Sequence, residues 1–266
     1  IMGLYNNRIV VKVGTSTLTN DAGKSDLRTT DRLACVLSDI QNMGYEVVLV
    51  SSGAIAVGRN KLNMTAKPDS MRMKQAAAAV GQCSLMYLYD KFFGDYDKTV
   101  AQILLNADDI EEEEKKENLI NTFNALLEMG VIPIVNENDS VSYKEIESED
   151  RLFGDNDMLS AVVAVLCRAK HLVIFSDIDG FYDHDPRLYP NAQLIDQIDT
   201  IDDSVYALAG GAGSRRGTGG MRTKLQAASL ATSQGTNTIV TNGKRPEVLY
   251  DIVKGGRAGT LFPGKI

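Results

Sequence analysis

Apolar residues fall along the chain in two alternating rhythms. Short runs that are apolar at nearly every position recur: RIVVKVG at 8–14, EVVLVSS at 46–52, TVAQILL at 99–105, VIPIV at 131–135, HLVIFSD at 171–177 and NTIVTN at 237–242. Runs this short and this rich in Val and Ile predict strands buried on both faces, as in parallel sheets. Between them, apolar positions repeat at intervals of three and four. Leu33, Val36, Leu37, Ile40 and Met43 mark a helix over 27–43, and an alanine-rich helix is expected over 71–93. Further helices are expected over 54–62, from an acidic turn at 108–114 to Met129-Gly130, over 158–169 and over 246–253, with a short strand at 193–198. Strand and helix alternate throughout, which predicts an α/β fold: a three-layer sandwich with a mostly parallel central sheet and helices on both faces, joined by right-handed crossovers. One domain over 1–266 is expected.

Small or polar residues stand where several of these strands stop: Gly14-Thr15-Ser16-Thr17, Ser51-Ser52-Gly53, Asn136-Glu137-Asn138-Asp139 and Ser176-Asp177. Open α/β sheets hold their ligands at the carboxyl ends of the strands, although ordinary strand-to-helix turns use the same residues. The 136–139 turn, with two amides and two carboxylates, suits a ligand bearing an ammonium group. Lys12 interrupts the first strand. It either snorkels or reaches a site at the strand end. Gly154-Asp155-Asn156-Asp157 precedes the 158–169 helix, and capping explains one Asp or Asn there, not three.

The most unusual composition lies at 210–220, where six of eleven residues are glycine, with Arg215 and Arg216 among them. From Gly220 the pattern turns helical, with Met221, Leu225 and Ala228 on one stripe, Ala231 near it, and Gly235 as the stop. A disordered surface loop is one reading. The other is an anion site, because Arg222 and Lys224 sit at the positive end of the helix dipole and require a compensating anion. No G-x-x-x-x-G-K-[ST], no G-x-G-x-x-G and no H-R-D loop occurs, so any nucleotide is held by other parts.

Composition narrows the chemistry. The 266 residues carry a net charge of −7, which argues against a nucleic-acid binder working through a basic face. With two histidines, His171 and His184, a histidine-based zinc site is not expected. The aspartates at 177–179 lack the spacing of a calcium loop. No apolar run is long enough to span a bilayer and no signal-like segment opens the chain, so a cytoplasmic protein without a membrane partner is expected. Cys35, Cys83 and Cys167 lie in apolar helical patterns and are expected to be reduced core residues.

Six segments together are distinctive: KVGTSTLT at 12–19, SSGAI at 51–55, NEND at 136–139, FGDND at 153–157, SDIDGFYDHDPR at 176–187 and GTGGMRTKLQAA at 217–228. In this order, over essentially the whole chain, they resemble the amino acid kinase family, and within it the branch that phosphorylates glutamate. Lys12-Val13-Gly14-Thr15 departs from the K-F-G-G-T-S and K-x-G-G turns of the aspartate and acetylglutamate branches. Many members of the glutamate branch continue into a PUA domain, which this chain, ending at Ile266, is not expected to carry.

The resemblance implies ATP-dependent phosphorylation of the side-chain carboxylate of L-glutamate, the first step toward proline. It implies catalytic roles for Lys12, Lys224 and Asp157, with Asp157 orienting the two lysines. It implies a glutamate site at Ser52, Asp139 and Asn156, with Asp139 on the ammonium and the other two on the carboxylates. ATP would lie against Lys12, Ser176, Asp177, Thr218, Gly219, Gly220, Met221, Arg222, Thr223 and Lys224. Mg²⁺ would ride on its phosphates, with no metal ligands from the protein. A dimer or tetramer, L-proline as feedback inhibitor and hand-over of the product to a reductase are implied as partners. Residues 141–153 are expected to form a protruding hairpin or lid. A kinase of another small acid or nucleotide, and a catalytically silent sensor, are the alternative readings.

Overall fold

A computed structural model describes residues 5–20, 24–141, 156–209 and 220–265. Apart from Val141, the expected hairpin or lid at 141–153 lies outside the described residues, as do Gly154 and Asp155 and the glycine loop at 210–219 with Arg215, Arg216, Thr218 and Gly219.

In chain order the elements are β1 (Tyr5–Val13), α1 (Thr15–Leu18), α2 (Leu27–Asn42), β2 (Glu46–Ser51), α3 (Ala54–Lys61), α4 (Met71–Gly94), β3 (Val100–Leu105), α5 (Asp108–Glu111), α6 (Glu113–Glu128), β4 (Ile132–Glu137), α7 (Asn156–Leu166), β5 (Ala169–Ser176), α8 (Asp203–Leu208), α9 (Met221–Ser233), β6 (Asn237–Asn242), α10 (Val248–Val253) and β7 (Thr260–Phe262). The strands form one sheet in the order β3-β4-β2-β1-β5-β6-β7. Every pairing is parallel except that of β7, which runs antiparallel to β6 at the edge. The chain lays strands to one side of β1, then crosses to the other from β5 onward, so the order reverses at β1. Such a reversal opens a crevice beyond the carboxyl ends of the strands.

Alternation along β1 assigns the layers. Ile9, Val11 and Val13 pack with α2, α3, α4 and α10 through Leu37, Val57, Tyr89 and Leu249. Val10 packs with α6, α7 and α9 through Phe123, Val163 and Ala228. By the same alternation Lys12 shares the side of Val10 and faces the α7 and α9 layer. The predicted sandwich is present.

Four local expectations are corrected. Residues 193–198 form no strand; their sheet-like pairing is limited to the isolated bridges Tyr182↔Leu194 and Gln197↔Leu261, because the segment turns between two different partners. The acidic helix is broken into α5 and α6 at Glu112, whose extended backbone (ψ 115°) interrupts the turn sequence. Asn136 and Glu137 belong to β4 rather than to a turn, with Asn136 buried. Of the three cysteines only Cys167 is buried; Cys35 is half-buried, and Cys83 points to solvent one position after the buried Gln82 of α4. The edge strand β7, three residues long, carries too short a pattern to be seen in the sequence.

Helices α3 and α4 meet backbone to backbone. A Cβ added at Gly58 would lie 1.7 Å from the Ala77 carbonyl oxygen, and one at Gly81 1.7 Å from that of Ala54. Glycine is required at both crossings for that reason, and the contact fixes how far α4 slides along the sheet.

Candidate active site

Three buried charges meet at the centre of the crevice. Lys12 comes from β1, Asp157 from the first turn of α7, and Lys224 from the first turn of α9. Lys12 Nζ lies 2.6 Å from Asp157 Oδ1 and Lys224 Nζ 2.9 Å from Asp157 Oδ2. Asp157 is fully buried, and the two lysines are 7% and 6% exposed. Thr223 Oγ1 stands 3.0 Å from Asp157 Oδ2 and 2.8 Å from the Gly220 carbonyl oxygen, so one hydroxyl ties the start of α9 to the carboxylate. Burial would raise the Asp157 pKa, but the lysine ammonium groups outweigh it and hold the carboxyl near 2. It is therefore an anion at any ordinary pH.

Two buried cations and one anion leave a surplus positive charge. Isolated buried charge is strongly unfavourable, so this arrangement is suited to receive an anion. The start of α9 adds to it. Gly220 occupies the cap position and supplies no side-chain cap, which leaves the N–H groups of the first turn for a ligand. Lys12 comes from β1 and Lys224 from α9, so an anion between them is met by two separate elements.

Beyond Lys224 a cavity of about 340 Å³ runs along the loop after β5. Ser176, Asp177, Phe181, Tyr182, Tyr189, Leu208 and Met221 line it. A cleft with apolar and aromatic walls and a cationic end fits a nucleotide, the base in the cleft and the phosphates toward Lys224. Ser176 is buried at the end of β5 and donates to Asp177 Oδ1 at 3.3 Å. Arg222 is exposed, its guanidinium 5.9 Å from the Tyr206 ring centroid and away from the three charges.

On the other side of Lys12, the ends of β2 and β4 carry the remaining residues. The Ser52 backbone N–H donates to the Val13 carbonyl at 3.1 Å, which joins the turns after β1 and β2. Gly53, with φ 95°, starts α3 in a conformation other residues adopt with strain. Asp139 is half-buried, and that burial raises its pKa to about 6. Asn156 Nδ2 donates to the Ser51 carbonyl and, at 2.9 Å, to Asn136 Oδ1.

Of the residues singled out from the sequence, Lys12, Asp157, Lys224 and Thr223 form one connected cluster. Ser176, Asp177, Gly220 and Met221 lie along the adjoining cleft, and Ser52, Asp139 and Asn156 stand at the strand ends across from it. The aromatic wall carries no signal of its own in the sequence: Phe181 and Tyr182 lie within SDIDGFYDHDPR and Tyr189 just beyond it, where the aspartates dominate the pattern.

The sequence profile of the amino acid kinase family matches residues 7–242. Glutamate 5-kinase of Clostridium perfringens is 55% identical over 260 residues, spanning 98% of this chain and 96% of its own. Glutamate 5-kinase of Enterococcus faecalis is 48% identical over 255 residues, spanning 96% and 94%. Among solved structures, carbamate kinase from Giardia lamblia bound to AMP-PNP superposes with a TM-score of 0.66 at 17% identity, over 99% of each chain. UMP kinase from Bacillus anthracis does so with a TM-score of 0.65 at 15% identity, over 98% of this chain and 97% of that one. These two share the fold. The sequence matches go further: the chain belongs to the amino acid kinase family, in its glutamate 5-kinase branch.

Proposed function

We propose that this protein transfers the terminal phosphoryl group of ATP to the side-chain carboxylate of L-glutamate, giving L-glutamyl 5-phosphate and opening the route to proline. Membership of the glutamate 5-kinase branch supports the substrate, and the buried Lys12–Asp157–Lys224 cluster is the observation that carries the chemistry.

Phosphoryl transfer asks the protein for alignment and for positive charge around the oxygens of the moving group. Lys12 and Lys224 supply that charge from two elements, and Asp157 holds both ammonium groups in place without neutralising both. Asp157 is no general base. Its carboxyl is held near 2, and the attacking glutamate carboxylate, with an ordinary pKa of about 4.3, is already ionised at neutral pH. Ser176, Asp177 and the segment 218–224, including Thr218, Gly219, Gly220, Met221, Arg222 and Thr223, hold the nucleotide. Mg²⁺ bound to the ATP phosphates would shield their charge during transfer.

Glutamate takes the side of β2 and β4, with Asp139 on its ammonium group and Ser52 and Asn156 completing the site. The two half-sites share one domain. A cytoplasmic homo-oligomer, inhibited by L-proline and passing its unstable acyl phosphate to a reductase, completes the reading. Among the described residues no helix is long and apolar enough to cross a membrane.

The test is ATP turnover with Mg²⁺ against L-glutamate, N-acetyl-L-glutamate, L-aspartate, carbamate and UMP, with hydroxylamine present to trap an acyl phosphate as its hydroxamate. Hydroxamate from L-glutamate alone is expected. Turnover with a different acceptor overturns the substrate, and silence across the panel from folded protein overturns the enzyme.

A further inference from the structure

Behind the half-site at the ends of β2 and β4 runs a chain of buried polar side chains whose two outer members come from one helix. Gln82 Oε1 accepts from Asn136 Nδ2 at 2.9 Å. Asn136 Oδ1 accepts from Asn156 Nδ2 at 2.9 Å and from the Glu137 backbone N–H at 2.9 Å. Asn156 Nδ2 also donates to the Ser51 carbonyl, and Ser51 Oγ lies 2.8 Å from Tyr89 Oη. Gln82 and Tyr89 are seven residues apart, two turns along the same buried face of α4. Gln82, Asn136, Ser51 and Tyr89 are all buried.

Backbone groups at two points fix the orientation of every amide. The Ser51 carbonyl can only accept, so the nitrogen of Asn156 faces it. The Glu137 N–H can only donate, so the oxygen of Asn136 faces it, and the nitrogen of Asn136 is left for Gln82. Both hydrogens of Asn156 Nδ2 are therefore spent on the scaffold. What Asn156 has left to offer is its carbonyl oxygen, an acceptor. An acceptor suits an ammonium group and repels a carboxylate.

We infer that Gln82 is a positioning residue for the α-ammonium of the amino acid substrate. By accepting from Asn136 Nδ2 it anchors the end of the Asn136 amide that the backbone leaves free, holds Asn136 Oδ1 against Asn156 Nδ2, and so sets where the Asn156 carbonyl oxygen lies for substrate. This rests on the proposed glutamate kinase reading and revises one role within it: Asn156 joins Asp139 on the ammonium rather than Ser52 on a carboxylate. The chain crosses over the carboxyl end of the sheet, from α4 on one face to α7 on the other. Asp157, next to Asn156, is held separately by Lys12, Lys224 and Thr223, so phosphoryl chemistry is insulated from a disturbance at Gln82.

The experiment compares the parent with Gln82→Met, which keeps the volume and removes the acceptor, Gln82→Asn, which withdraws the amide by one methylene, and Gln82→Glu, which keeps an acceptor. Steady-state kinetics give kcat and KM for L-glutamate and ATP. Competitive inhibition gives Ki for glutarate, which is glutamate without its ammonium group. Loss of one hydrogen-bond partner is expected to raise KM for L-glutamate roughly tenfold in Gln82→Met. Ki for glutarate, KM for ATP and kcat should stay within about twofold, and Gln82→Glu should recover most of the loss. Gln82→Asn reports the same loss if the Met variant does not fold. An unchanged KM for L-glutamate in both, a parallel rise in Ki for glutarate, or a failure of Gln82→Glu to recover overturns the inference. A parent enzyme that does not turn over L-glutamate overturns the functional reading and the inference with it, which separates the two failures.

Discussion

Lys12 and Lys224 look equivalent around Asp157, and removing one of them should affect stability differently from removing the aspartate. In Lys224→Ala the remaining Lys12–Asp157 pair is neutral, so the fold should tolerate the change. Turnover should fall by about 10²- to 10³-fold, the usual effect of deleting one preorganised donor. In Asp157→Ala two buried ammonium groups face each other with nothing between them, and stability should fall together with activity, by about 3–5 kcal/mol. Thermal melting beside initial rates separates the cases; a Lys224→Ala protein with near-normal turnover removes that residue from the chemistry. Asp139 invites a pH experiment. Burial lifts its carboxyl to about 6, so in the proposed role it would hold an ammonium group well above that pH and lose its charge below it. Glutamate itself changes little between pH 5 and 7, its side-chain pKa being about 4.3. KM for L-glutamate should therefore rise as the pH falls from 7 to 5, and Asp139→Asn should hold it high and flat. A dependence that survives in Asp139→Asn assigns the titration to another group.

At the scale of elements, α4 matters more than its alanine-rich sequence suggests. It carries Gln82 and Tyr89 to the strand ends, and its depth is set by the crossing with α3 at Gly58 and Gly81. Gly81→Ala would force a methyl into the Ala54 carbonyl, and the helices must separate to admit it. We expect a lower melting temperature and a raised KM for L-glutamate, with KM for ATP nearly constant because the cleft proposed for the nucleotide is built from α8, α9 and the loop after β5. Equal loss on both substrates in kinetic assays counts against that division. The elements themselves were largely legible. Buried strands announce themselves by unbroken Val and Ile, and α2 and α9 by spacing. What stayed hidden was the break at Glu112, which no glycine or proline marks in an otherwise helical acidic run, and the bridging of 193–198, which depends on partners distant in the chain. The site was legible only in part, for the same reason. Lys12 stood out as a charge inside an apolar strand, and Asp157 as an acid beyond what capping requires. Gln82 and Tyr89 gave no signal, since an amide or a phenol within an alanine-rich helix is unremarkable until its bonding partner is known.

Across the whole molecule, the order of the sheet separates two tasks. Strands β2, β4 and β3 lie to one side of β1, and β5, β6 and β7 to the other. The residues assigned to the acceptor stand on the first side, the nucleotide cleft on the second, and Lys12 on the strand between. The consequence concerns how such a protein changes over time. If the proposed division holds, substitutions that reshape the ends of β2 and β4 would alter which molecule receives phosphate without disturbing how the nucleotide is held, and new specificities would arise by editing one flank alone. A duplicated copy of this chain could exchange its acceptor in few steps and remain a working kinase throughout.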